Sequence, residues 1–243
     1  MLNSPPLQKR NNTSARVPKN RILAALPEYE WRRLEPHFKY GALSVGTVLF
    51  NESADIERVY FLDEGMISFV LVSRDGMAVE VGVAGHEGVV GAEAASKSKA
   101  GARAIVQIPA VGWQLPANIF AEAATGGTRL QELLLEYWQF VAAQNAQLAL
   151  CNRLHTIEQR LCRWLLLVHG HMDADELALT QRFLADMLGV KRSGVSLTAA
   201  SLRSAGLIDY RHGHIALLDI PALEARSCEC HAALQKRFHE LIK

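Results

Sequence analysis

Apolar residues recur along this chain with three different periods, and each period predicts a different element. Between residues 42 and 121 they form short alternating or continuous runs, VGTVLF, RVYFLDEGMISFVLV, MAVEVGVAG and RAIVQIPAVGWQLP, separated by Gly, Asp and Ser. Runs of this length and spacing predict the strands of a β-barrel or jelly roll. A helix is expected before them, around Tyr29–Phe38, and the strands end near Pro116-Ala117-Asn118. Beyond that point Ile119–Ala123 and, past the Gly126-Gly127 break, Thr128–Asn152 read as helices. In the longer one, Leu130, Leu134, Tyr137, Val141, Gln144, Leu148 and Cys151 alternate in steps of four and three, the spacing of a coiled-coil seam. Leu130, Leu134, Tyr137, Val141, Gln144 and Leu148 are the expected dimer interface, with Gln144 as a polar register position. Leu135, Trp138, Ala142 and Ala149 form a second apolar face, so one face would pack on the chain itself and the other on a partner helix.

The third pattern lies in residues 179–219. Thr180 is placed to cap a helix whose Phe183, Leu184, Met187 and Leu188 recur at helical spacing, and Gly189 follows as a turn residue. Ala185, Gly189 and Val195 then supply close helix contact, a permissive turn and a core anchor for a second helix. GLIDYRHGHIALLD adds two short alternating segments around His212-Gly213, a hairpin beside the helix pair. The combination predicts a winged helix-turn-helix.

Charge gives this segment a chemistry. The whole chain carries a formal charge of only +1, yet between Val190 and Arg203 the charged residues are Lys191, Arg192 and Arg203, with no acid. Cations gathered on one helix suit the phosphates of double-stranded DNA. Lys191, at the helix start, fits a phosphate, whereas the fork of Arg192 matches guanine O6 and N7. Ser193, Ser196 and Leu197 complete the outward face, and with Thr180 and Arg203 these are the expected DNA-binding residues.

Taken together, GTVLF, VYFLDEGMISF, LLLEYWQFVAAQNAQLALCNRLHTIEQRLCRWLL and LTQRFLADMLGVKRSGVSLTAASLRSAGLI resemble the Crp/Fnr family of bacterial transcription regulators. The resemblance spans nearly the whole chain. It implies an α+β architecture: a basic disordered tail over 1–20, a cyclic-nucleotide-binding-like sensor barrel over 21–125, a dimerisation helix over 126–153, and a winged helix-turn-helix over 154–243. It also implies a homodimer, recognition helices whose disposition depends on the sensor, and RNA polymerase as a further partner. A twofold pair of winged helices meets successive major grooves, which predicts a pseudo-palindromic operator with half-sites about 10 bp apart.

The departures from the family are equally informative. Its cyclic-nucleotide-binding members carry a Gly-Glu pair for the ribose and, several residues later, Arg-Ser-Ala or Arg-Thr-Ala for the phosphate. Here Gly91-Ala92 stands for the first and Ala102-Arg103-Ala104 for the second. Glu93 and Arg103 each sit one residue away, and one step along a strand turns a side chain to the opposite face. Gly91, Glu93 and Arg103 are thus the effector candidates of a shifted site, while the family's cyclic-AMP chemistry is disfavoured. The alternatives are a cyclic-nucleotide-responsive regulator using that shifted site, and a sensor or scaffold that kept the fold without DNA binding. The recognition helix departs too: Ser193 replaces the family's customary Glu and Leu197 its second Arg.

No nucleophile–base pair, phosphate-binding loop or zinc-enzyme helix appears, so an enzyme is not expected. No cofactor is implied and the effector stays unidentified. The cysteines Cys151, Cys162, Cys228 and Cys230 lack paired CxxC spacing, which favours reduced, packed thiols, no metal site and a cytoplasmic setting. Residues 1–21 contain Lys9, Arg10, Arg16, Lys19 and Arg21 without an acid or an apolar stretch, unlike a secretion signal. No membrane partner is expected.

Overall fold

A computed structural model describes residues 16–171, 176–211 and 213–240. They form two compact units, an N-terminal one holding the residues through Phe69 and Val83–Trp138, and a C-terminal one holding Val70–Gly82 and Gln139–Leu241. The division falls inside the long helix rather than before it.

In the N-terminal unit the chain is fastened from its first described residues. Arg16 Nη1 donates to the Tyr40 hydroxyl at 3.0 Å, with its guanidinium 4.2 Å from the ring centroid. The backbone amides of Lys19 and Asn20 donate to Asp63 Oδ1. The Asn20 side chain caps α1 (Arg21–Ala24) and donates to the carbonyls of Leu62 and Gly88. Residues 16–20, expected to belong to a disordered tail, are therefore ordered, because the buried Asp63 carboxylate needs their amides as donors. The rest of that tail lies outside the described residues.

Next come α2 (Glu28–Leu34), a 3-10 turn at Glu35–His37, and the strands β1 (Lys39–Leu43), β2 (Val48–Phe50), β3 (Arg58–Val72), β4 (Ala78–Ala84) and β5 (Arg103–Pro116). They make a five-stranded sheet ordered β1-β5-β3-β4, with β2 also on β5. β1 runs antiparallel to β5, Lys39 opposite Gln114 and Leu43 opposite Ala110. Gly112 is required by close approach: a Cβ there would lie 2.2 Å from the Phe61 carbonyl oxygen. Phe38, Phe61, Trp113 and Phe120 meet edge-on at 5.8 to 6.0 Å and build an aromatic core under α3 (Ala117–Ala123). The α+β class holds, with the β-rich part preceding the helices.

Helix α4 (Arg129–Leu154) starts where Glu30 accepts the Arg129 and Leu130 amides at 2.8 and 3.1 Å, a carboxylate on the positive end of the helix. Its packing buries part of the expected dimer interface within the chain itself. Leu130, Leu134 and Tyr137 are buried in the N-terminal unit, and Tyr137 lies so close to Gly88 that a Cβ there would meet its ring at 2.4 Å. Further along, Gln144 is also buried, while Val141 and Leu148 are half-buried. The first turns of the stripe that the heptad spacing marks thus pack in the chain's own core. The opposite stripe is open: Leu135 is 59% and Trp138 39% exposed, followed at helical spacing by exposed Ala142 and Ala149.

The C-terminal unit contains α5 (Ile157–His169), β6 (Glu176–Ala178), α6 (Gln181–Leu188), α7 (Arg192–Ser204), β7 (Ile208–Arg211), β8 (His214–Leu217), α8 (Ile220–Arg226) and α9 (Cys230–Glu240). Thr156 and Gln159 close a reciprocal capping box at the start of α5. The hairpin of β7 and β8 gains a third antiparallel strand in β6, ordered β6-β8-β7. The tip of the β3–β4 hairpin belongs to this unit: Trp164 Nε1 donates to the buried Glu80 carboxylate at 3.0 Å. Among the described residues no helix is long and apolar enough to cross a membrane.

Candidate nucleic-acid interface

Helices α6 and α7 are locked before either presents a side chain outward. Thr180 is the N-cap of α6, its Oγ1 accepting from the Phe183 amide at 3.2 Å. The helix ends at Gly189, in the left-handed region at φ +60°, where the Val190 amide returns to the Ala185 carbonyl at 3.0 Å. A side chain at Gly189 would also press on Val79, at 3.0 Å. Arg160 donates from Nη2 to the Leu188 carbonyl, closing the same helix end from α5. Val195, Ala199 and Leu202 turn inward from α7 and Leu184, Ala185 and Leu188 from α6, so the pair shares one apolar seam.

The expected contact residues divide into two groups. Lys191, at the N-cap of α7, and Arg192, Ser193 and Leu197 are exposed, Leu197 at 75%. Among the described residues neither the Lys191 nor the Arg192 side chain has a hydrogen bond or ion pair. Burial raises the Tyr210 phenol above its ordinary value, and the positive charge of Arg192 opposes that rise, which puts the guanidinium beside the wing strand β7. Tyr210 itself donates to the Leu179 carbonyl at 2.9 Å.

The second group is engaged within the protein. The Ser196 hydroxyl reaches Gln181 Oε1 at 2.6 Å and the Arg192 carbonyl at 3.0 Å, so it ties α7 to α6. Thr180 is occupied as a cap. Arg203 lies 3.6 Å from Asp209, which also holds Arg211 at 2.9 Å. Sequence reasoning missed Gln181 and Asp209, whose roles come from contacts 15 and 6 residues away; an acid in the hairpin following a basic helix end was the available signal for Asp209. His212, at the expected wing tip, lies outside the described residues, but Gly213 has φ +82° and its carbonyl accepts from the Leu179 amide at 2.7 Å.

The effector candidates lie on two elements, Gly91 and Glu93 at the 3-10 turn Ala92–Ser96 and Arg103 at the start of β5. Gly91, at φ +87°, leads into a 3-10 turn at Ala92–Ser96, and Glu93 Oε1 accepts weakly from the Gly101 amide at 3.5 Å. Ala102, just before β5, and Ala104, on it, are buried while Arg103 between them is exposed and donates to Asn51 Oδ1 at 3.1 Å. The alternation follows the strand period of two. Ala104 joins Phe50, Leu62, Ile67, Val90, Val106 and their neighbours in an apolar cluster, so the inner face at this point offers no cation for a phosphate.

Residues 159–226 match the family model of the Crp-like helix-turn-helix domain. No curated protein matches the chain in sequence. Among solved structures, FixK2 from Bradyrhizobium japonicum is similar with a TM-score of 0.66 at 18% identity, over 79% of this chain and 98% of that one. A CRP-family transcriptional regulator from Thermus thermophilus gives 0.63 at 22% identity, over 76% and 95%. The c-di-GMP-responsive global regulator CLP of Xanthomonas campestris gives 0.61 at 14% identity, over 79% and 100%. The chain thus carries a Crp-like helix-turn-helix domain and has the fold of the Crp/Fnr transcription regulators.

Proposed function

We propose that this protein is a homodimeric transcription regulator that reads a pseudo-palindromic DNA operator through α7, with half-sites about 10 bp apart. The observation that carries the reading is the outward face of α7: Lys191, Arg192, Ser193 and Leu197 exposed together, with no acid on that helix, beside a three-stranded wing. Lys191 is the phosphate contact that sets register, and Arg192 reads a guanine edge. Leu197 offers only apolar contact, which suits a thymine methyl. Ser196, Thr180 and Arg203 position these side chains instead of meeting bases.

Dimerisation is assigned to the open stripe of α4, Leu135, Trp138, Ala142 and Ala149, whose two small residues allow close helix approach around a twofold axis. The sensor works without the family's ribose and phosphate pair, because Ala104 and its neighbours fill the inner face and Arg103 faces solvent. RNA polymerase is the partner this activity calls for, and the cytoplasm its setting. Selection of bound sequences from a random DNA pool by the full chain, followed by titration across salt concentrations, tests the proposal. The expected result is a twofold-symmetric site whose affinity falls steeply with salt. A folded protein with no salt-dependent DNA affinity would overturn it.

A further inference from the structure

Three of the four cysteines converge with a histidine, far from the DNA-reading face in sequence. Cys151 lies in the last turn of α4 and His155 just past its end, the His155 amide donating to the Cys151 carbonyl at 3.1 Å. Cys228 lies between α8 and α9, and Cys230 opens α9. The three sulfurs and one ring nitrogen all lie within 4.8 Å of one another. Cys151 Sγ is 3.5 Å from Cys228 Sγ, and Cys230 Sγ is 3.5 Å from His155 Nδ1. All three cysteines are buried, at 0%, 3% and 0% exposure.

We propose that Cys151, His155, Cys228 and Cys230 form a tetrahedral site for one soft divalent cation, with Zn²⁺ as the best chemical fit. A zinc–sulfur bond of about 2.3 Å in a tetrahedron sets ligand atoms about 3.8 Å apart along each edge. The distances here are already of that size, so a single ion fits with small inward shifts. They are also much longer than the roughly 2.05 Å of a disulfide. A Cys151–Cys228 disulfide would, moreover, leave Cys230 and His155 converging on nothing.

The surroundings are those of a metal-binding histidine. While His155 Nδ1 faces Cys230, its Nε2 meets Glu229 Oε1 at 3.1 Å. A carboxylate on the far ring nitrogen fixes the tautomer and raises the basicity of the near one. Gln147, one turn before Cys151, donates from Nε2 to Cys230 Sγ at 3.0 Å, a contact that steadies a thiolate. Arg163, 3% exposed on α5, has a buried Nε without a hydrogen-bond partner among the described residues. Binding converts Zn²⁺, three thiols and neutral His155 into a complex of charge −1 and releases three protons to solvent. A buried guanidinium beside that anion is then compensated. The bound ion would pin the end of α4 to the junction of α8 and α9 within the C-terminal unit.

Local spacing hid this site. Cys228-x-Cys230 matches no standard zinc pattern, and the other two ligands lie more than 70 residues earlier, at the end of a different helix.

The test uses the full chain, reduced and stripped of metal by a chelator, its fold checked by circular dichroism. Titration with Co²⁺ should give one equivalent bound, with a thiolate-to-cobalt charge-transfer band and intense visible bands of a tetrahedral ion, both removed by one equivalent of Zn²⁺. Cys151→Ser and Cys230→Ser should abolish the charge-transfer band seen in the parent. Glu229→Gln should keep the spectrum but weaken affinity about 10- to 100-fold. Cys162→Ser, which changes a buried cysteine outside the cluster, should bind as the parent does. The proposal is overturned if the folded parent binds no Co²⁺ with thiolate bands, if those bands survive Cys151→Ser and Cys230→Ser, or if the fresh protein contains a Cys151–Cys228 disulfide and takes up no metal after reduction. None of these readouts depends on DNA binding, so this site and the regulatory function fail separately.

Discussion

Replacing Trp138 with Ala should weaken the dimer close to a thousandfold without unfolding the chain. Trp138 keeps 39% of its surface exposed in the single chain. Of the roughly 200 Å² that a tryptophan buries, about 80 Å² is therefore left for a partner. At about 25 cal/mol per Å² this is ~2 kcal/mol per copy. A twofold interface counts the residue twice, giving ~4 kcal/mol, and each 1.4 kcal/mol is about one decade in Kd. Sedimentation velocity across a dilution series measures the shift, with circular dichroism as the check on folding. Leu134→Glu is the contrasting variant: Leu134 is 4% exposed inside its own unit, so a charge there costs folding, by about 3–5 kcal/mol, before it touches any interface. A Trp138→Ala dimer within tenfold of the parent Kd, or a Leu134→Glu protein that stays folded yet monomeric, would refute the assignment and return the interface to the buried stripe.

Three further outcomes are expected. Arg192→Ala should cost about 1–3 kcal/mol at the best operator and relax one base position, whereas Lys191→Ala should weaken all sequences alike and flatten the salt slope by about one; competition binding across operator variants separates the two. Calorimetry should find no saturable cyclic-AMP binding at micromolar concentration, since Ala92 and Ala102 stand where the family's ribose and phosphate contacts would be; binding that also enhances operator affinity would show the inner face to be misread. Gly112→Ala forces a Cβ to within 2.2 Å of the Phe61 carbonyl, and a loss of about 3 kcal/mol should lower Tm by roughly 6–12 °C in thermal denaturation.

The elements that are legible in the sequence are those whose signal is local. Thr180 and Gly189 bracket α6 because a cap and a left-handed turn are chemical properties of single residues, and both stand where expected. Arg103 turns outward as its one-residue displacement requires, because strand alternation needs no knowledge of the partner strand. The burial of the expected dimer seam is hidden for the complementary reason. Periodicity on α4 shows two apolar faces but not which one the chain covers, and that choice is made by Gly88 beneath Tyr137, a contact between residues 49 positions apart. Composition misreads residues 16–20 because it registers a run of cations without registering Asp63, the buried acceptor that orders them.

The same distinction decides which cations of the winged helix are available to DNA. Every positive side chain there contributes equally to a count along the sequence, but a folded surface withdraws some of them. Asp209 takes Arg203 and Arg211 together, and Glu158 takes Arg226 at 3.1 Å. Arg160 is spent on the carbonyl end of α6. After these withdrawals exposed Arg182 on α6 remains, with Lys191 and Arg192 adjacent at the start of α7, none of the three with an acid partner among the described residues. A phosphate gains most from a cation that gives up no internal ion pair to meet it, since breaking such a pair offsets the gain from counterion release. The pairing of Arg203 with Asp209 therefore concentrates the interface on the first turn of α7, the end of a recognition helix that meets base edges in the major groove.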